Sequence, residues 1–174
     1  AYMVKLSQED AGFDCPVTEH FHYISIKEKT YDVIKTLRDD QVVKIGDKDI
    51  VIETPAKALM KFRQLYSGTV KFESGNYKII DYSKAYFIQN HFKGQKIAIF
   101  YKFTAEYEML KEVFKDNITN DLEVFNATSK NIALQIVSGR EGISLKAAKY
   151  LVYINIDFSS VSFWQSRDRM TTQD

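Results

Sequence analysis

Residues 139–170 read GREGISLKAAKYLVYINIDFSSVSFWQSRDRM. The segment opens with Gly139 and Gly142, continues into the almost unbroken apolar run YLVYINI at 150–156, and ends in a Gln-x-x-Asp-Arg sequence. A run that is apolar at successive positions, without alternation, is typical of a strand that helices cover on both faces. The segment therefore predicts a strand of a parallel sheet, with a turn before it and a short capped helix after it.

Two further apolar runs lie upstream, KIAIFY at 96–101 and IALQIVS at 132–138. Helical segments separate the three runs, and this alternation predicts an α/β protein with a mostly parallel sheet flanked by helices in three layers. In the clearest of these helices, Thr104 is placed to be the N-cap, and four apolar residues share one face. These four are Tyr107, Leu110, Val113 and Phe114.

Residues 1–55 are expected to form an extension that leads into this sheet. HFHYISI at 20–26 alternates in the manner of a half-buried strand, and residues 27–40 have helical spacing. Gly46-Asp47 lies between two alternating runs, which predicts a β-hairpin. Two more helices are predicted, one after Pro55 with Leu59, Phe62 and Leu65 on one face, and one over residues 81–93.

The composition indicates one domain without a dominant charge. The chain has 174 residues, 45% of them hydrophobic, which is enough for one full core and hardly for two. Its 24 Lys and Arg residues nearly cancel 23 Asp and Glu residues, so any anion contact has to be local. No stretch approaches the roughly 18 apolar residues of a membrane span. We expect a single domain over 1–174 that does not enter a membrane.

Polar groups flank the predicted strands where ligands bind in α/β sheets. Ser138 ends the run at 132–138, and Gly139 and Gly142 follow it, at the carboxyl end of a predicted strand. For two isolated glycines alone, ordinary turn geometry is the favoured interpretation. In the last helix, Gln165 and Arg169 are four residues apart and share a polar face, which is typical of phosphate contact or of a solvated surface.

Taken together, these residues resemble the carboxy-terminal, RecA-like lobe of superfamily 2 helicases of the Swi/Snf type. KIAIFYKFTAEYEMLKEVF resembles motif IV of that family, SGREGISLKAAKYLVYINIDFSS resembles motif V, and QSRDRM resembles motif VI. The chain departs from the family pattern at three positions, where Arg140 replaces a common glycine, Ser144 replaces an asparagine and Thr172 replaces the second arginine of motif VI. The segment between motifs IV and V is also short, as in phage or prophage members.

The resemblance implies a role for each matched residue. Arg169 would be the arginine finger that reaches ATP on another lobe, Gln165 would couple the nucleotide to lobe closure, and Gly142 and Asp168 would lie near the nucleotide. Contacts to the DNA backbone are implied for five residues: Lys102, Thr104, Ser138, Gly139 and Ser144. The implied domain is a lead-in strand, helix and hairpin over 1–55 and a RecA-like lobe over 56–174.

The resemblance also implies a partner and cofactors. The 174 residues contain no G-x-x-x-x-G-K-[ST] sequence, whose amides and lysine cradle a triphosphate. ATP and Mg²⁺ would therefore be bound mainly by an N-terminal lobe of the same protein, and this chain alone would not hydrolyse ATP. The implied location is the cytoplasm of a bacterial or phage-infected cell, or the nucleus in a eukaryote.

Two other functions fit the same residues. A non-catalytic α/β module that binds nucleotide or protein would leave the Gln-x-x-Asp-Arg incidental. The translocase lobe of a restriction enzyme or a repair helicase would share motifs V and VI.

Overall fold

A computed structural model gives the fold and describes residues 18–136 and 143–155. Helices and strands alternate along these residues. In chain order they are α1 (Glu28–Asp40), β1 (Val42–Ile45), β2 (Lys48–Val51), α2 (Pro55–Tyr66), β3 (Thr69–Lys71), β4 (Tyr77–Ile79), α3 (Ser83–His91), β5 (Ile97–Tyr101), α4 (Thr104–Phe114), a 3-10 turn (Lys115–Asn117), β6 (Ile118–Thr119), α5 (Leu122–Ala127), β7 (Asn131–Gln135) and β8 (Tyr150–Tyr153).

The main sheet has four strands in the order β6-β7-β5-β8, and every neighbouring pair is parallel. Its three longer strands coincide with the three apolar runs of the sequence, so the predicted α/β class and the mostly parallel sheet are confirmed. β5 lies between β7 and β8, with Ala98 opposite Ile132 on one side and Leu151 on the other. The chain has to cross over between parallel strands, and α4 and α5 make the crossovers from β5 to β6 and from β6 to β7.

The central strand β5 is buried on both faces. Ile97 and Ile99 belong to a core that α3 and α4 complete, whereas Ala98 and Phe100 belong to a second core on the opposite face. Phe125 of α5 is fully buried in that second core. Because successive side chains of a strand point to opposite faces, this arrangement accounts for the unalternating sequence of the strand and produces three layers.

A separate core lies in the N-terminal half, where α1, the β1–β2 hairpin and α2 pack together. Its fully buried residues include Leu37 and Leu65. The predicted hairpin at Gly46-Asp47 is confirmed, with Gly46 at φ +70° in the turn. The face predicted for α2 is only partly correct, because Leu59 is exposed while Leu65 is buried.

The strand predicted at 20–26 is wrong. Residues 18–27 form no helix or strand, and the side chains of Phe21 and Tyr23 are 74% and 98% exposed. Alternation alone does not make a strand when no neighbouring strand accepts its backbone hydrogen bonds.

The β3–β4 hairpin joins the two halves of the protein. Val70 and Phe72 are buried in the N-terminal core. Ile79, on the opposite face, packs against the core that α3 and α4 form beside the sheet. The hairpin was not predicted, because each of its strands has only three residues.

The carboxylate of Asp81 lies at this junction and is 1% exposed. Its Oδ2 accepts hydrogen bonds from the Lys27 backbone N–H at 2.7 Å and the Thr30 hydroxyl at 2.9 Å. Its Oδ1 accepts from the Ser83 backbone N–H at 2.8 Å and the Ser83 hydroxyl at 2.6 Å. One side chain therefore fixes the start of α1 against the start of α3.

Gly68 brings the backbone of the hairpin close to Asp81. Its carbonyl accepts from the Ile80 N–H at 2.8 Å and the Asp81 N–H at 3.1 Å. Its φ is +88°, and a Cβ at this position would lie 2.0 Å from the Asp81 carbonyl oxygen. Only glycine fits here, because both the backbone conformation and the available space exclude a side chain.

We expect Asp81→Asn to lower the free energy of unfolding by about 1.5–3 kcal/mol, because charge-assisted hydrogen bonds are lost and an amide NH₂ faces donors. Denaturant unfolding at neutral pH measures the change. Asp116→Asn, at an exposed position of the 3-10 turn, is the matched control and should change stability by no more than about 0.5 kcal/mol. Equal stability of the two variants would contradict the role of Asp81.

Wild type and Asp81→Asn should also differ in how their free energy of unfolding depends on pH. Burial acts to raise the pKa of Asp81, but the hydrogen bonds from Ser83, Lys27 and Thr30 outweigh it, and the pKa lies below its ordinary value. The stabilisation is therefore present above the unfolded-state pKa of about 3.9 and is lost as the pH falls through the lower folded-state pKa. The gap in unfolding free energy between wild type and Asp81→Asn should be constant at neutral pH and shrink below about pH 3.9.

Candidate functional site

The carboxyl ends of three parallel strands lie side by side, at what we call the carboxyl edge of the sheet. β5, β7 and β8 end at Tyr101, Gln135 and Tyr153. In the register, Tyr101 lies opposite Gln135 and Phe100 lies opposite Tyr153. Open α/β sheets bind their ligands outside this edge. The turns that leave it are therefore the first place to look for a site.

The turn between β5 and α4 contains Lys102 and Thr104, two of the predicted DNA contacts. The prediction that Thr104 is the N-cap of α4 is wrong, since Phe103 occupies the N-cap position and Thr104 is the first helical residue. The Glu106 carboxylate replaces the expected cap: its Oε2 accepts from the N–H of Lys102 at 2.8 Å and of Phe103 at 2.9 Å. A glutamate at the third helical position is a known cap signal, so the sequence does contain this information.

Both neighbouring strands hold the same turn in place. Oε1 of Glu106 accepts from the side-chain amide of Asn155, just beyond the end of β8. On the other side, the Gln135 side-chain amide donates to the Lys102 carbonyl at 3.1 Å. Because Glu106 is completely buried, its hydrogen bonds form out of water, where an unmade one would be costly.

The ammonium group of Lys84 on α3 lies beside this network. It donates to the Ile154 carbonyl at 3.3 Å. Burial lowers the pKa of Lys84, and the attraction of the Glu106 carboxylate acts in the opposite direction. Glu106 thus caps α4, accepts a hydrogen bond from Asn155 and stabilises the positive charge of the partly buried Lys84 ammonium. A single carboxylate links α3, α4 and the ends of β5 and β8.

A cleft of ≈ 330 Å³ lies between the β3–β4 hairpin and the start of α4. Two lysines, Lys71 from the hairpin and Lys102 from the turn, line it, and none of the described lining residues is Asp or Glu. The described residues that line it are Gln64, Thr69, Val70, Lys71, Gly75, Tyr77, Lys102, Phe103, Thr104 and Ala105. The cleft is therefore suited to an anion, although the whole chain is close to neutral.

The structure places only part of the predicted site. Lys102 and the exposed Thr104 are brought together in the cleft, whereas Ser144 is exposed and does not line it. The other predicted contacts lie outside the described residues, namely Ser138, Gly139, Gly142, Gln165, Asp168 and Arg169. The other eight lining residues were not predicted, among them the polar residues Gln64, Lys71 and Tyr77. The turn residues Ser74-Gly75-Asn76 between two short apolar stretches could have indicated the hairpin that carries the last two.

His22 and His91 form an aromatic contact away from the cleft. Their ring centroids are 4.5 Å apart, and Phe87 lies 5.4 Å from His22. His20 and His22 both lie in the segment 18–27, which forms no helix or strand. Among residues 18–136 and 143–155, no three His, Cys, Asp or Glu side chains are grouped to hold a metal ion.

Comparison with known proteins gives no relatives: no protein-family model matches the chain, and no curated protein matches it significantly. Within the part of the chain that the structure describes, none of the helices is both long and apolar enough to cross a membrane.

We expect Glu106→Ala to lower the free energy of unfolding by about 1–3 kcal/mol or more, because two backbone N–H groups and the Asn155 amide lose their acceptor. Denaturant unfolding measures the loss, and Glu106→Gln, which keeps one acceptor oxygen, should fall between wild type and Glu106→Ala. The control is Glu108→Ala on the same helix, since Glu108 pairs with Lys111 at the surface at 2.9 Å and such pairs contribute about 0–1 kcal/mol. A loss no larger than that of the control would show that Glu106 is not the anchor of this turn.

Proposed function

We propose that this chain is the C-terminal lobe of an ATP-dependent DNA helicase or translocase of superfamily 2. In this proposal the chain grips the DNA backbone through the turns that resemble motifs IV and V. Arg169, in the sequence that resembles motif VI, supplies an arginine finger to ATP bound with Mg²⁺ on an N-terminal lobe of the same protein. Cycles of lobe closure and opening would then move the protein along DNA.

One observation carries the proposal. The turn that the family resemblance assigns to DNA contact lies at the carboxyl edge of a parallel sheet. Its Lys102 and the adjoining Thr104 line a cleft in which none of the described residues carries a carboxylate. An ammonium and a hydroxyl bind phosphate oxygens without reading bases, as translocation along any sequence requires. The chain also leaves β7 and β8 at this same edge, where the segments that resemble motifs V and VI follow in the sequence.

The geometry also refines how a phosphate would be held. The amides of Lys102 and Phe103 already donate to Glu106. A phosphate in the cleft would therefore be bound by side chains, the Lys102 ammonium and the Thr104 hydroxyl, and not by those two amides. Glu106 positions both groups, because its carboxylate binds the backbone of the turn.

DNA binding by the 174-residue chain should be weak, sensitive to salt and indifferent to sequence. Lys102→Ala should weaken it similarly for all sequences and reduce the slope of log K against log salt concentration by about 0.9 on duplex DNA, the value for one phosphate contact. Fluorescence anisotropy over a salt series measures the slope. Lys35→Ala is the matched control, because it removes one exposed charge from α1, outside the cleft. Identical slopes for the two variants would place the DNA elsewhere, and nucleotide or protein binding without DNA binding would favour the non-catalytic module.

The arginine finger can be tested in the protein that contains this chain together with the ATP-binding lobe. Arg169→Ala should lower kcat for DNA-stimulated ATP hydrolysis by about 10³- to 10⁵-fold and leave ATP affinity nearly unchanged, because the contact is strongest in the transition state. Arg167→Ala, two residues away, is the control and should keep most of the turnover. Wild-type turnover by Arg169→Ala, or hydrolysis by the 174-residue chain alone, would refute this role.

A further inference from the structure

The hairpin side of the cleft carries an aromatic ring next to a cation. Tyr77 of β4 lies directly opposite Lys71 of β3 in the antiparallel register, so the two side chains share one face of the hairpin. Both residues are exposed and both line the cleft, and Tyr77 is 46% exposed. The tyrosine is therefore available to a ligand that enters beside Lys102.

Tyr77 differs from the other tyrosines near the carboxyl edge. Tyr101 and Tyr107 stack on each other with centroids 5.4 Å apart and planes at 17°, and Tyr153 stacks on Phe100 at 5.5 Å. Among residues 18–136 and 143–155, no aromatic ring stacks on Tyr77. A packing role does not account for a half-exposed ring at the rim of a cleft.

A hydrogen-bond donor at the base of the cleft supports the same interpretation. Gln64 is only 7% exposed, and its Oε1 accepts from the Lys71 N–H at 3.0 Å. Its side-chain NH₂ is a hydrogen-bond donor among the residues that line the cleft. The adjoining groove along α2 is different, since Glu73 lines it and pairs with the Lys61 ammonium at 3.3 Å. No Asp or Glu is among the described residues that line the cleft with Tyr77.

We propose that this cleft takes up an unstacked base of single-stranded DNA, with the Tyr77 ring stacked on the base and Lys71 and Lys102 beside the flanking phosphates. The inference rests on the proposed function of the cleft and adds that the gripped strand is single at this point. Base–aromatic stacking is tolerant of sequence, since every base has a π face. A paired and stacked duplex offers no such face, so the cleft should discriminate between single and double strands.

The test uses the 174-residue chain with three fluorescent probes of equal length: an oligothymidylate, a strand of the same phosphates with abasic sites, and a duplex. The oligothymidylate should bind most tightly. Tyr77→Ala should weaken its binding by about 5- to 150-fold, the range that corresponds to 1–3 kcal/mol per stacked base. The same variant should leave binding of the abasic strand unchanged, whereas Lys102→Ala should weaken all three probes.

Two variants exclude indirect effects. Tyr77→Phe keeps the ring and should bind the oligothymidylate nearly as wild type does. Tyr31→Ala removes a tyrosine of almost equal exposure, 47%, from α1 outside the cleft, and should have no effect. Unfolding curves of all variants show whether each is folded.

The outcomes separate this inference from the proposed function. If Tyr77→Ala weakens oligothymidylate and abasic strand equally, or if the duplex binds as tightly as the single strand, the stacking role is refuted and the backbone grip stands. If no probe depends on Lys102, the grip itself is refuted and the inference fails with it. Selective loss of oligothymidylate binding in Tyr77→Ala, with Tyr77→Phe intact, supports the stacked base.

Discussion

The buried carboxylate of Asp81 holds the two halves of this protein together. It accepts four hydrogen bonds, which come from the first turn of α1, the residue before it and the first residue of α3. These elements belong to different hydrophobic cores, one around Leu37 and Leu65 and one beside the parallel sheet. Apolar packing is non-directional and leaves two cores free to shift. The hydrogen bonds to the Asp81 carboxylate are directional, so they fix the position of one core relative to the other. They thereby also fix the β3–β4 hairpin near the carboxyl edge.

The shape of the cleft depends on the relative position of the two cores, because each of its two walls belongs to a different core. Lys71 and Tyr77 lie on the hairpin, and Lys102 and Thr104 lie on the turn that follows the central strand. Glu106 fixes the second wall through the backbone of that turn and through Asn155. A ligand held between the walls would contact both halves of the protein. Two buried carboxylates, neither of which lines the cleft, therefore set its width and the placement of its charges.

The parallel sheet could be predicted from the sequence because a strand that is buried on both faces consists of successive apolar residues, such as Ile97 to Phe100. The N-terminal helix and the turn at Gly46 could also be predicted, because their sequence patterns are local. The strand at 20–26 was predicted wrongly because alternation records a periodicity and not a pairing partner. Two residues of the cleft, Lys102 and Thr104, could be predicted from the sequence, since they directly follow a predictable strand. Lys71 and Tyr77 were not, because their approach to that turn is a long-range contact made by strands of three residues.

Gly68 has a consequence for how this protein can change over evolution. Its positive φ and the 2.0 Å approach of a would-be Cβ to the Asp81 carbonyl leave no tolerated alternative residue. Thr30 and Ser83 both depend on Asp81, since each loses a hydrogen bond to its carboxylate if Asp81 is replaced. We expect divergent relatives to retain this glycine and to keep or exchange the three polar residues as a set. Such a fingerprint, a glycine followed by Asp-x-Ser across a short hairpin, would identify distant members of the lineage even where overall sequence similarity has been lost.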